Sequence, residues 1–282
     1  MTTPLAARLA TEIAETGPIT VADYMARCLG DPRDGYYTTR IPFGAAGDFV
    51  TAPEVSQIFG ELIGAWLLSV WDAAGAPDPV RLVELGPGRG TLMADVLRVA
   101  ALRPAFMAAL SVDLVETSPV LRQVQRDRLA DAPCIVAWHD RVEEIPDGLM
   151  LVVANEFFDA LPIRQFARSP QGWRERMVGL DADGRLAFGL GPATLQAAAV
   201  AALKDAPDGA VVEVQPIGDA IMATLAARIA RDGGALLAID YGYARPDTGD
   251  TLQAMRAHAF ADVLDTPGAA DLTAHVNFAA LA

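Results

Sequence analysis

A chain of 282 residues with 52% hydrophobic and 21% charged residues has enough apolar surface for a sizeable core, in one elaborated domain or two small ones. Its 36 Asp+Glu against 22 Lys+Arg give a net charge of −14, which opposes attraction to phosphate backbones and anionic lipid and suits a cationic substrate. Neither a nucleic acid nor a membrane is therefore expected as a partner.

Cys28 and Cys134 lie far apart with no CxxC or Cys/His cluster, which supports neither a disulfide framework nor a metal site. The N-terminus carries Glu12 and Glu15 among its apolar residues and lacks a secretory pattern, and no apolar run approaches the roughly 20 residues that span a bilayer. These features place the chain in the cytoplasm.

Along the chain, Leu5, Leu9 and Ile13 recur every four residues and predict a first helix, and Thr20 caps a second that offers Val21, Tyr24, Met25 and Leu29 to the core. Asp31 to Pro53 breaks into Pro, Gly and aromatic residues and reads as a long loop, with Phe43 to Phe49 as the centre of a lid. Ser56 to Trp71 reads as a helix apolar almost all round. From Val80 the pattern alternates apolar strands with helices: strands at Val80 to Leu85, Val112 to Glu116, Cys134 to Trp138 and Leu149 to Ala154, with helices at Thr91 to Leu102 and Pro119 to Leu129. This predicts an α/β fold with a Rossmann-like parallel sheet covered on both faces. Turn signals at Ser169-Pro170-Gln171-Gly172 and Asp181-Ala182-Asp183-Gly184 predict an antiparallel insertion, and sheet-like runs resume at Ala210 to Val214 and Gly234 to Asp240. The expected domains are an N-terminal helical and lid region over 1–75 and a Rossmann-like domain over 76–282 with its insertion near 164–212.

The segment Glu84-Leu85-Gly86-Pro87-Gly88-Arg89-Gly90 joins a strand to a helix. Glycines allow a sharp turn and close approach of the backbone to a ligand, while the new helix presents free N–H groups. The spacing is GxGxG rather than the dinucleotide GxGxxG, and Glu84 at the strand end would repel a pyrophosphate. Both details favour S-adenosylmethionine, which has no phosphate and carries cationic amino and sulfonium groups. Glu116 closes the second strand, where a carboxylate accepts hydrogen bonds from ribose hydroxyls. His139 reads as a solvated surface histidine, and Arg122, Arg126 and Arg128 as a solvated helix face.

Asn155-Glu156-Phe157-Phe158-Asp159-Ala160-Leu161-Pro162 follows the fourth strand at the carboxyl edge of the sheet. Glu156 and Asp159 flank two aromatics and suit a planar cation, whose guanidinium fork carboxylates orient and relieve of a proton as a methyl arrives. The competing reading is structural: Asn155 caps a helix whose positive N-terminus favours both acids.

Together with Gly47-Asp48-Phe49-Val50-Thr51-Ala52-Pro53-Glu54, Asp240-Tyr241-Gly242 and Asp271-Leu272-Thr273-Ala274-His275-Val276, these two segments form five co-linear motifs that resemble the MidA-type methyltransferases. The resemblance covers nearly the whole chain and implies the class I methyltransferase fold, S-adenosylmethionine as methyl donor, and a donor site that includes Thr51, Pro87 and Asn155 beside Glu84, Gly86, Gly88, Gly90 and Glu116. For mitochondrial members it implies dimethylation of an arginine on a subunit of respiratory complex I. The expected partner is thus a protein with an exposed arginine, a respiratory complex subunit among the candidates. A small-molecule methyltransferase and a nonenzymatic S-adenosylmethionine-binding assembly factor are the alternatives.

Overall fold

The computed structural model describes residues 3–40, 51–195 and 203–282. The chain divides into two compact units, one formed by Met1–Thr39, Asp159–Ala220 and Tyr241–Ala282, the other by Arg40–Phe158 and Ile221–Asp240. The predicted lid centre from Phe43 to Phe49 and the Ala-rich stretch 196–202 lie outside the described residues.

The second unit holds the parallel sheet. Its main elements in chain order are α1 (Gln57–Ala73), β1 (Val80–Leu85), α2 (Thr91–Ala100), β2 (Leu110–Val115), α3 (Pro119–Arg128), β3 (Ile135–His139), β4 (Met150–Asn155), α4 (Pro216–Asp232, which belongs to this unit from Ile221) and β5 (Gly234–Ile239). The strands lie in the order β5-β4-β1-β2-β3, and every pairing is parallel. All residues of β1 except Arg81, and all of β4 except Asn155, are buried, as their continuous Val, Leu and Met runs require of strands covered on both faces. The chain runs outward from β1 to β2 and β3, then returns to β4 on the other side of β1. That reversal opens a crevice beyond the carboxyl ends of β1 and β4, where doubly wound sheets bind ligands.

Helix α1 begins at Ser56, whose hydroxyl accepts the N–H of Ile58. Its composition suggests burial all round, yet Ile58 and Leu62 are 64% and 66% exposed. What selects the buried face is size rather than polarity. Gly60 and Gly64 lie against α2, where a Cβ on Gly60 would stand 2.6 Å from Asp95 Cβ and one on Gly64 3.0 Å from Val99 Cβ. Ile63, Leu67 and Trp71 follow on the buried side, and Trp71 meets Phe106 with ring centroids 4.9 Å apart.

The first unit contains the two N-terminal helices, Pro4–Thr16 and Val21–Gly30; Thr20 caps the second as expected by accepting the Asp23 N–H, and Thr3 caps the first by accepting the Ala6 N–H. Leu5, Leu9, Ile13, Val21, Tyr24, Met25 and Leu29 are all buried. The insertion is an antiparallel sheet in which Gly172–Leu180 pairs with Ile19–Thr20, Arg164–Ser169 and Leu186–Thr194. Val211–Val214 adds to Arg164–Ser169 as a further antiparallel strand. Phe166, Trp173 and Val212 form a small core there. Among the described residues, no helix is long and apolar enough to cross a membrane.

The glycine face of α1 gives a prediction. Alanine is favoured over glycine in a helix by about 1 kcal/mol, but at position 60 its methyl would overlap Asp95. Gly60→Ala is expected to lower stability by about 1–2 kcal/mol in urea unfolding; a stabilised variant would show that α1 is not held at this distance.

Candidate active site

The register of the sheet brings the acidic strand ends to one edge. Leu85 is level with Val115 on β2 and with Ala154 on β4, and Asn155 is level with Ile239 on β5. Gly86, Glu116, Asn155 and Asp240 therefore follow at neighbouring levels around the crevice. Gly86 leaves β1 by donating its N–H to the Val115 carbonyl at 3.0 Å, and Gly90 closes the loop onto the Pro87 carbonyl at 2.7 Å. Gly88 has φ +53°, a left-handed conformation that costs a side-chain-bearing residue energy. A Cβ on Gly86 would stand 2.9 Å from Phe157 Cδ2, so the loop also approaches the wall supplied by the segment after β4.

Glu84 is 3% exposed, and its Oε2 has no hydrogen-bond partner among the described residues. Burial pushes its carboxyl up to about 8. Asn155 Oδ1 is likewise buried without a partner. Two orphaned acceptors beside a glycine turn fit a ligand with a cationic donor group, and S-adenosylmethionine has one in its amino group.

Glu116 is 9% exposed, and its Oε1 accepts the N–H of Ser118 at 2.7 Å. Its Oε2 accepts the side-chain amide of Gln125 at 3.3 Å. Burial raises the Glu116 carboxyl, and these hydrogen bonds oppose that rise. Arg122, read as solvated, instead donates to the Glu116 carbonyl at 2.6 Å, and Arg126 lies over the Trp138 ring at 5.2 Å. His139 is not a solvated histidine either: its Nε2 lies 2.8 Å from Asp113 Oδ1, and Asp113 also accepts from Arg81.

No helix follows β4, and residues 156–162 form bends and turns, so the capping reading of Asn155 falls. Glu156 takes φ +49°, an uncommon conformation for a residue with a side chain. It is held there by its own N–H on the Ile239 carbonyl at 2.8 Å, while Phe158 N–H donates to Asp240 Oδ2 at 3.0 Å. Burial first, and the Asp240 charge after it, raise the Glu156 carboxyl, while the Ala52 N–H, donating to it, pulls the other way. Phe157 and Phe158 meet edge to face, with centroids 5.3 Å apart.

Sequence reasoning missed the single turn Ala52–Val55. It offers the Ala52 N–H to Glu156, and its Glu54 accepts from Thr91 and, at 3.3 Å, from Arg89 of the glycine loop. Thr51 starts this turn without a side-chain capping bond. The co-linear motif from Gly47 to Glu54 was the available signal, since it ends in a carboxylate that nothing local required. Asp159 belongs to the other unit, where it is 6% exposed and its carbonyl accepts the Ala274 N–H at 2.9 Å. There burial first, and the charges of Asp271 and Asp159 after it, raise the Tyr37 phenol, whose hydroxyl donates to Asp271 at 2.8 Å.

A parallel sheet in the order β5-β4-β1-β2-β3, with a glycine turn and acidic strand ends at its switch point, defines a nucleoside-binding α/β enzyme of the methyltransferase type. Comparison with known proteins gives the family. Residues 62–282 match the family described as "Putative S-adenosyl-L-methionine-dependent methyltransferase". The chain is 42% identical over 296 residues to the protein arginine methyltransferase NDUFAF7, mitochondrial, of Danio rerio, covering 97% of this chain and 70% of that protein. It is 41% identical over 303 residues to the Homo sapiens protein of the same name, covering 99% and 68%. Among solved structures, a COG1565 superfamily member from Burkholderia thailandensis bound to S-adenosyl-homocysteine superposes with a TM-score of 0.85 at 34% identity, covering 98% of this chain and 74% of that one. The chain belongs to this family of S-adenosylmethionine-dependent methyltransferases, and S-adenosylmethionine is its methyl donor.

These relatives overturn one expectation. Their names place them in mitochondria, against the cytoplasmic location inferred from composition and the N-terminus. Compartment is set by an address that receptors read, and the composition of a globular fold does not carry it.

Glu84 gives a second prediction. A carboxyl raised to about 8 from an ordinary value of 4.5 keeps its proton in the folded chain while the unfolded chain loses it. The folded state then binds more protons, and stability falls as pH rises from about 4.5 to 8. Glu84→Gln, which stays neutral, is expected to melt at a higher temperature than wild type at pH 8, with the gap closing toward pH 5. Parallel melting curves for the two proteins across this range would contradict the assignment.

Proposed function

We propose that this methyltransferase acts on a guanidino nitrogen of an arginine in a protein substrate, with Glu156 as the carboxylate that receives the acceptor. The carrying observation is the conformation of Glu156: a charged residue held in the left-handed region at the carboxyl end of β4, its carboxylate half-buried and met by the Ala52 N–H. Strain of this kind costs about 1–3 kcal/mol and persists where the surroundings over-determine it, commonly at reacting centres. The name protein arginine methyltransferase borne by relatives at about 40% identity supports the same acceptor.

In this reading Glu84 and Asn155 hold the amino-acid end of the donor, and Glu116 holds the ribose. Gly86, Pro87, Gly88 and Gly90 let the backbone approach it, and Thr51 borders it. When bound, S-adenosylmethionine supplies a methyl group on a positively charged sulfur. Glu156 accepts guanidinium N–H bonds, fixes the plane of the acceptor and concentrates electron density on the attacking nitrogen. As the nitrogen–methyl bond forms, the carbon–sulfur bond breaks with its electron pair remaining on sulfur, and the nitrogen's proton passes through Glu156 to solvent. Phe157 and Phe158 exclude water from the charge transfer. The acceptor protein is proposed to be a respiratory complex subunit, on the motif resemblance described for the sequence.

The test uses purified protein, labelled donor and mitochondrial extract, with hydrolysis of the labelled proteins to amino acids. Label is expected in methylated arginine. Glu156→Gln is expected to lower the rate about 100-fold or more while the donor dissociation constant changes less than about twofold. Label confined to other residues or to small molecules would overturn the acceptor assignment, and full activity in Glu156→Gln would overturn the role of Glu156.

A further inference from the structure

On the polar helix α3, Leu121 and Gln125 are the two buried residues, four apart on the face turned to the sheet. An amphipathic helix ordinarily fills such a position with an apolar residue. Gln125 is instead 0% exposed and fully engaged. Trp138 Nε1–H donates to its Oε1 at 2.9 Å, and because an indole can only donate, this contact fixes which end of the amide is the oxygen. The amide nitrogen is thereby turned toward two groups that can only accept, the Gly88 carbonyl at 2.7 Å and Glu116 Oε2 at 3.3 Å. One side chain thus joins the glycine loop, the acidic end of β2 and the end of β3.

We propose that Gln125 is a positioning residue for donor recognition, holding Glu116 in the orientation that reads the ribose hydroxyls and setting it in register with the glycine loop. The proposal rests on Glu116 being the ribose ligand. Ser118 N–H locates Oε1 of that carboxylate and the Gln125 amide locates Oε2, so both oxygens, and with them the carboxylate plane, are fixed. A vicinal diol bound by one carboxylate needs both oxygens in defined positions. With the Gln125 amide removed, the carboxylate is held by the backbone N–H groups of Ser118 and Thr117 alone, its side-chain support at Oε2 is gone, and the two-point contact with the diol is weakened. The carboxylate itself is unchanged, and the Gly88 carbonyl loses the same donor, so the loss specific to the sugar is read as a ratio between two ligands that share the rest of the donor.

The readout is therefore a ratio of affinities, which a generally loosened fold would not shift in one direction. Binding of S-adenosylhomocysteine and of its 2′-deoxyribose analogue is measured by calorimetry on wild type, Gln125→Leu and Trp138→Phe. Wild type is expected to prefer the ribose compound by about tenfold or more, the scale of a hydrogen bond to a charged group. In Gln125→Leu, whose apolar side chain suits the core-facing position, the preference is expected to fall below about threefold, mostly through weaker binding of the ribose compound. Trp138→Phe, which leaves the amide in place but removes its orienting donor, is expected to fall between the two. An unchanged preference in Gln125→Leu, or in Trp138→Phe if the first variant does not fold, overturns the role of Gln125. Wild type that binds both compounds equally shows that Glu116 does not read the ribose, and wild type that binds neither overturns the donor site itself.

Discussion

A carboxylate buried at the end of a central parallel strand is the constraint around which the nucleoside-binding half of this chain is organised. Glu84 is 3% exposed and raised toward neutrality by burial alone, so in the free chain it weakens the fold rather than supporting it. A cationic group delivered to that point reverses the sign of its contribution. Three nearby features fit such delivery: a turn of glycines that brings backbone close, a strand order that opens the crevice at β1 and β4, and a second acidic strand end at Glu116. A dinucleotide pyrophosphate placed at the same turn would keep this carboxyl protonated and gain no charge pair from it, whereas a cationic group draws out its ionised form.

The segment after β4 and the glycine loop are joined by hydrogen bonds within one compact unit. The turn Ala52–Val55 gives its first N–H to Glu156 and its Glu54 to Thr91 and Arg89, so the loop and the carboxylate share one support. The Ile239 carbonyl and the Asp240 carboxylate, from the end of β5 and the residue after it, hold the segment after β4 in its left-handed bend. Methyl transfer asks chiefly for alignment of nucleophile, methyl and leaving sulfur, and alignment is what a support fixed from two strands and one helical turn supplies. No general acid is needed, since the sulfur leaves without protonation, and the only proton to be handled is that of the attacking nitrogen.

Much of this was legible in the sequence because it rests on local patterns. Continuous apolar runs between helices required a parallel sheet, and the residues from Glu84 to Gly90 announced their strand, turn and helix in order. What stayed hidden depends on which face meets what. Gln125 lies among Arg122, Gln123, Arg126, Asp127 and Arg128, and nothing in these neighbours distinguishes a buried amide from a solvated one. The exposure of Ile58 and Leu62 followed from glycines at 60 and 64, a packing signal that hydrophobicity alone does not read. Asn155 precedes two acids in the manner of a helix cap, but the helix is absent and the acids answer to strand ends and to other segments. The grouping of Met1–Thr39 with Asp159–Ala220 and Tyr241–Ala282 joins segments remote in sequence, which no single-segment pattern carries.

The most direct test of this account is a crystal structure of the protein with S-adenosylhomocysteine. The account predicts the ligand's amino group within hydrogen-bond distance of Glu84, its two ribose hydroxyls on the two oxygens of Glu116, and its sulfur facing the segment that begins at Glu156. A ligand bound with Glu84 still buried and unpaired, or with its ribose turned away from Glu116, would contradict it.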